Sequence, residues 1–106
     1  MLELFSEELK NALPKISDQD GNKNPIVHAV FSFPLSGWTW FVTEGKPIED
    51  DFLFFGFVVG LEREWGYFCL SELDSVDING IKVCRYKDHE PKPLSECLQK
   101  YGFEEN

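Results

Sequence analysis

The sequence predicts an α+β fold: a four- or five-stranded, largely antiparallel sheet with N- and C-terminal helices. Three observations point there. All three Trp and eight of the ten Phe fall between Phe31 and Leu70, together with Tyr67. Two segments in and beside that block alternate with a period of two, as half-buried strands do. At both ends of the chain the apolar residues instead recur at helical spacing.

Each element follows from local chemistry. Leu2, Leu4, Phe5, Leu9, Leu13 and Ile16 recur at helix-like intervals. Ser6, followed by Glu7 and Glu8, suits a helix N-terminus, and Pro14 stops the helix, so it is placed at Ser6 to Ala12 with its apolar face on the sheet. Asp20-Gly21 and Asn24-Pro25 mark a loop from Ser17 to Pro25. Ile26 to Phe33 alternates as a strand, Pro34 ends it, and Leu35-Ser36-Gly37 turns the chain into a second strand, Trp38 to Glu44. Strict alternation puts Trp38, Trp40, Val42 and Glu44 on one face, and Thr39, Phe41 and Thr43 on the other. Gly45 to Asp51, with Pro47, is read as a loop.

Phe52 to Leu61 is apolar on both faces, which predicts a central strand covered on each side. Gly56 and Gly60 within it predict a bulge or close approach by bulky neighbours, with Trp38 and Trp40 as candidates. Glu62-Arg63-Glu64 is a polar hairpin loop, and Trp65 to Leu70 a fourth strand. Ser71 to Asp74 reads as a helical turn capped by Ser71. Val76 to Gly80 is irregular, Lys82 to Tyr86 is a short edge strand, and Lys87 to Pro93 is a polar loop. Leu94, Cys97, Leu98 and Tyr101 form the stripe of a helix from Pro93 to Tyr101, ended by Gly102.

At 106 residues the chain is read as one domain, 1–106, able to build a core without metal or disulfide. The acidic N-terminus is not a signal peptide, and no apolar run approaches the length of a membrane span. Three cysteines, Cys69, Cys84 and Cys97, odd in number and without C-x-x-C spacing, read as reduced thiols and mostly core fillers. These features predict a cytoplasmic protein. Net charge is −9, and −7 of it lies between Glu44 and Asp77, where only Lys46 and Arg63 oppose the acids. Such a surface repels phosphate backbones, which argues against direct nucleic-acid binding and suits a basic protein partner.

Motifs for chemistry are sparse. Asp18, Asp20 and Asn22 start like a calcium loop, but Lys23 stands where glycine is required and Ala29 where glutamate is, so no metal site is expected. Gly56 to Gly60 lacks the Lys-Ser/Thr of a phosphate loop, and no Gly-x-Ser-x-Gly elbow is present. His28 lies on a strand without a partnered motif, and His89 is expected to be solvated in its loop. Glu44 beside Trp38 and Trp40 is the carboxylate best placed for a raised pKa. Trp38, Trp40, Trp65 and Tyr67 are read as sharing one face and as turning inward to form core.

The ordered set Trp38-Thr39-Trp40, Thr43-Glu44, Phe54-Phe55-Gly56, Val58-Val59-Gly60, Gly66-Tyr67-Phe68 and Ser71-Glu72-Leu73 resembles a small bacterial family labelled domain of unknown function 2958. Leu9 to Pro14, Asp20-Gly21, Val27-His28 and Lys92 to Ser95 extend the likeness over nearly the whole chain, while Asp77 to Asp88 is more compact than the family's usual pattern. The resemblance brings no agreed catalytic residues to carry over, and no cofactor is expected. It implies a context of plasmids, conjugative elements and phages.

Two functions are therefore expected. The first is a small acidic, non-enzymatic interaction protein of bacterial mobile elements. It would engage a basic nucleic-acid-binding or defence protein through Glu49, Asp50, Asp51, Glu62 and Glu64. The alternative is a small enzyme or ligand-binding domain whose pocket gathers His28, Trp38, Thr39, Trp40, Thr43 and Glu44. Membrane binding is not expected, and no oligomeric state is implied.

Overall fold

A computed structural model describes residues 6–103. In chain order the elements are α1 (Glu7–Ala12), β1 (Ile26–Val27), β2 (Ala29–Ser32), β3 (Thr39–Ile48), β4 (Asp51–Val59), β5 (Arg63–Cys69), α2 (Leu70–Asp74), β6 (Asp77–Ile78), β7 (Ile81–Lys82), β8 (Cys84–Arg85), β9 (Lys92–Pro93) and α3 (Leu94–Lys100). The main sheet has the order β5-β4-β3-β2-β8, and all its pairs are antiparallel. Two small ladders, β1 with β9 and β6 with β7, flank it. The fold is α+β, with an antiparallel sheet and helices towards both ends.

The sheet carries a packed layer on each face, but the second face is left open over part of β4 and β5, so β4 is not covered on both sides along its whole length, contrary to expectation. On the first, Ala29, Phe31, Val42, Phe54 and Phe68 pack with Leu13 just past α1 and with Leu70 and Leu73 of α2. On the second, Val27, Val30, Phe41 and Val59 pack with Leu94 and Cys97 of α3. Ser6 caps α1 by accepting from the Leu9 N–H at 3.2 Å. Leu9 and Leu13 are the apolar residues that this segment turns onto the first face; Leu2, Leu4 and Phe5 lie outside the described residues. No described helix is long and apolar enough to cross a membrane.

Several local expectations are corrected. The first strand breaks at His28 into β1 and β2. β3 runs on to Ile48, through Pro47. Proline is tolerated there because β2 pairs only with Thr39 to Val42, which leaves that side of β3 open. Gly45 donates towards the same open side, to Pro14 O at 3.0 Å, and the Pro47 nitrogen two residues on points the same way.

α2 begins at Leu70, where Glu72 accepts from Cys69 N–H at 2.8 Å; Ser71 instead bonds to Asp51. Arg63 and Glu64 belong to β5, not to the turn before it. The Val76–Gly80 stretch holds β6, and only Cys84–Arg85 of the expected edge strand joins the main sheet. Gly60 does lie against the Trp38 ring, whereas Gly56 is pressed on the backbone of Phe41. The cysteines are all free, but only Cys97 is buried and Cys84 is exposed.

Candidate functional site

The informative departure from regular alternation is at Thr43. The β3–β4 register pairs Val42 with Gly56 but Glu44 with Phe55, so one extra residue bulges at Thr43. A bulge moves every later side chain to the opposite face. Glu44 therefore does not share a face with Trp38, Trp40 and Val42, as strict alternation predicts; it stands on the second face beside Phe55.

There Glu44 is 3% exposed. Its two oxygens accept from the backbone N–H groups of Ser17 at 2.8 Å and Gln19 at 2.7 Å. The Gln19 side chain donates to Ile26 O and Thr43 O and accepts from Ile26 N–H. One carboxylate and one amide thus hold the 17–25 loop on the sheet. Bonds of this charge-assisted kind are stronger than neutral ones.

The tryptophans do not share a face either, and none lies in the buried core. Register places Trp40 opposite Val58 on the first face and Trp65 opposite Phe57 on the second. Trp38 packs on Trp40, with ring centroids 6.0 Å apart, and is 37% exposed. The interior is built from Phe, Val and Leu instead.

On the second face α3 and the residues after it cover Phe41 through Tyr101 and Phe103. Beyond them β4 and the edge strand β5 carry an open aromatic ledge. Phe55 stacks on Trp65 at 5.7 Å and 13°, Phe57 meets Trp65 at 5.3 Å, and Tyr67 lies 4.9 Å from Phe55. Trp65 is 42% and Tyr67 61% exposed. Between this ledge and the 17–25 loop is a recess of about 220 Å³, whose walls include Asp20, Asn22, Thr43, Glu44, Phe55 and Trp65. Thr43 Oγ1 donates to Phe55 O at 3.1 Å.

His28 is elsewhere. It lines a separate recess of about 230 Å³ with Ser6, Glu8, Arg85, Lys87 and His89. Burial, and then the nearby His89, lower its pKa. Thr39 is buried and donates to Gly37 O. The six residues of the expected pocket thus divide: Thr43 and Glu44 come together, Trp38 and Trp40 lie on the other face, and His28 lines a different hollow. His89 is not free in solvent as expected. Its ring bonds to Val27 O at 2.9 Å and to Tyr101 OH at 3.1 Å, and burial lowers its pKa.

The acids also fall into two groups. Glu49 and Asp50 form the β3–β4 turn, and Asp51 opens β4. Glu62 lies in the turn past the far end of β4, and Glu64 on β5 pairs with Val58 near that end, roughly 25 Å away at a strand's rise per residue. Asp51 is tied down: its carboxylate accepts from Phe52 N–H, Ser71 N–H and Ser71 Oγ, and the Ser71 hydroxyl is the largest cause of its lowered pKa. Among the described residues no cluster of three or more His, Cys, Asp or Glu is placed to hold a metal ion.

Residue alternation alone does not reveal the Phe55–Trp65–Tyr67 ledge, because the grouping depends on the β4–β5 register. The signal was present in the short Gly60-Leu61-Glu62 turn, which sets Trp65 opposite Phe57.

The family model described as "Protein of unknown function (DUF2958)" matches residues 3–100, and the chain belongs to that family. A search of curated proteins and a search of solved structures each found no match.

Proposed function

We propose that this family member is a non-enzymatic binding module that receives a basic segment of another protein on the open ledge of β4 and β5. The observation that carries this reading is the ledge itself: Phe55 and Phe57 of β4 and Trp65 and Tyr67 of the edge strand β5 form one aromatic surface, with two of its rings well exposed. Aromatic anchors of this kind dominate binding energy at protein interfaces. The chain's −9 charge adds long-range attraction for a basic partner, which speeds encounter and sets orientation. The two acid groups, Glu49 to Asp51 and Glu62 with Glu64, stand at the two ends of β4 and flank the ledge along the strand. In the mobile-element setting that the family resemblance implies, a nucleic-acid-binding or defence protein supplies such a basic surface.

The test is affinity capture from a bacterial host lysate with the parent protein and with a Trp65→Ala/Tyr67→Ala variant, at low and high salt. A partner held by the parent, weakened by salt and lost with the double variant supports the reading. A partner retained equally by the variant, or unaffected by salt, refutes it.

A further inference from the structure

We propose that the recess between the 17–25 loop and the Phe55–Trp65 stack is a socket for a guanidinium group, and that it takes one arginine side chain of the basic segment. This deepens the reading above and rests on it for the identity of the partner, though not for the chemistry of the socket.

The recess has room for about seven waters at their liquid volume. Phe55 and Trp65, stacked at 13° from parallel, both line it. A planar cation stacks well on such a π face, and arginine does so better than lysine. The lining also includes two carboxylates, Asp20 and Glu44, and no Lys, Arg or His. Glu44 is buried with both oxygens already accepting from the backbone, so it supplies fixed negative charge. Asp20 is exposed at the rim, and its carboxylate has no hydrogen-bond partner among the described residues, so it supplies free lone pairs. Asn22 and Thr43 add polar atoms. A guanidinium brings five N–H donors in a plane, which suits a site that offers both carboxylate acceptors and an aromatic surface. An anion would meet two like charges there, and an apolar group would leave Asp20 desolvated without a partner.

The experiment is an NMR titration of the folded protein with N-acetyl-arginine amide. The lysine analogue and the uncharged citrulline analogue are run beside it, for the parent, Asp20→Asn and Trp65→Leu. The expected result is a saturable shift of the Trp65 indole resonance, and of the Asn22 and Thr43 amides that report in Trp65→Leu, with arginine, a weaker one with lysine and none with citrulline. Each substitution should weaken the arginine affinity by about two- to fivefold, the range of a single exposed charge or cation–π contact. Asp20 is an exposed loop residue, so its variant keeps the fold, which the rest of the spectrum verifies. Equal response to arginine and citrulline, a lysine response as strong as that to arginine, or shifts confined to Trp38 and Trp40 would overturn the socket. Partner capture that needs Trp65 and Tyr67 but ignores Asp20→Asn, with arginine silent, removes the socket and leaves the ledge reading standing. Arginine binding with no salt-sensitive partner does the reverse.

Discussion

Gly56 and Gly66 face each other across β4 and β5, yet their environments differ sharply. A Cβ added at Gly56 would stand 1.9 Å from Phe41 O, 2.9 Å from Phe41 C and 3.1 Å from Val42 Cα. All three atoms are backbone of the central strand, so no side chain can rotate to relieve the clash. Overpacking a core costs about 1–3 kcal/mol when side chains absorb it, and here the strands themselves must part. Gly56→Ala should therefore cost about 3 kcal/mol or more. For a domain of this size each kcal/mol moves the melting temperature by about 4–8 °C, which predicts a fall of at least about 12 °C. At Gly66 an added Cβ meets nothing within 4 Å. Gly66→Ala should stabilise the strand by about 0.5–1 kcal/mol through lost chain entropy. Thermal melts followed by circular dichroism, with urea titrations at fixed temperature, measure both. A Gly56→Ala variant melting within about 4 °C of the parent, or a Gly66→Ala variant falling as far as Gly56→Ala, would refute the packing argument.

Glu44→Ala removes both anchors of the 17–25 loop and should cost about 2–4 kcal/mol, since hydrogen bonds to a charged group contribute about 1.5–3 kcal/mol each and water recovers part of the loss. Hydrogen exchange at the Ser17 and Gln19 amides should accelerate in step, and unchanged protection there would contradict the clamp. Asp51 has a folded pKa below its ordinary value of 3.8, so the stability it adds is present above that value and lost as pH falls through the lower, folded one. Unfolding free energy measured across that acid window should rise with pH more steeply in the parent than in Asp51→Asn; equal slopes would exclude the Ser71 contact as the cause. Among the thiols, Cys84 is exposed and should react first with a disulfide reagent at neutral pH. Cys97, fully buried and with its pKa pushed up to about 11, should react only on unfolding. Mass spectrometry of the partly labelled protein resolves the order, and early labelling of Cys97 would contradict its burial.

The elements legible in the sequence are those whose pattern is local. The β2–β3 hairpin follows from alternation and the Gly37 turn, and α1 and α3 follow from helical spacing with Pro14 and Gly102 as stops. What escaped depends on pairing. The Thr43 bulge leaves no mark in composition, because both Thr and Glu are ordinary outward residues of a strand; only the partner strand reveals that Glu44 has crossed over. Pro47 predicts an end to β3, and it is overruled because among the described residues no strand pairs with that side beyond Val42. His89 sits in a polar stretch that reads as solvent-exposed. It is held by Val27 and Tyr101, which are distant in sequence. The candidate site was half visible. Thr43, Glu44, Trp65 and Tyr67 were singled out, but their grouping with Phe55 and the 17–25 loop required the register.

The β1–β9 ladder joins Ile26 to Pro93 and Val27 to Lys92, and α3 follows it at once. During synthesis, at about 5–20 residues per second, the first three strands of the sheet leave the ribosome seconds before that helix does. In that interval Val30 and Phe41 have no lid. A nascent chain halted before Leu94 would present them to chaperones and proteases as an apolar patch additional to the open Trp65–Tyr67 ledge.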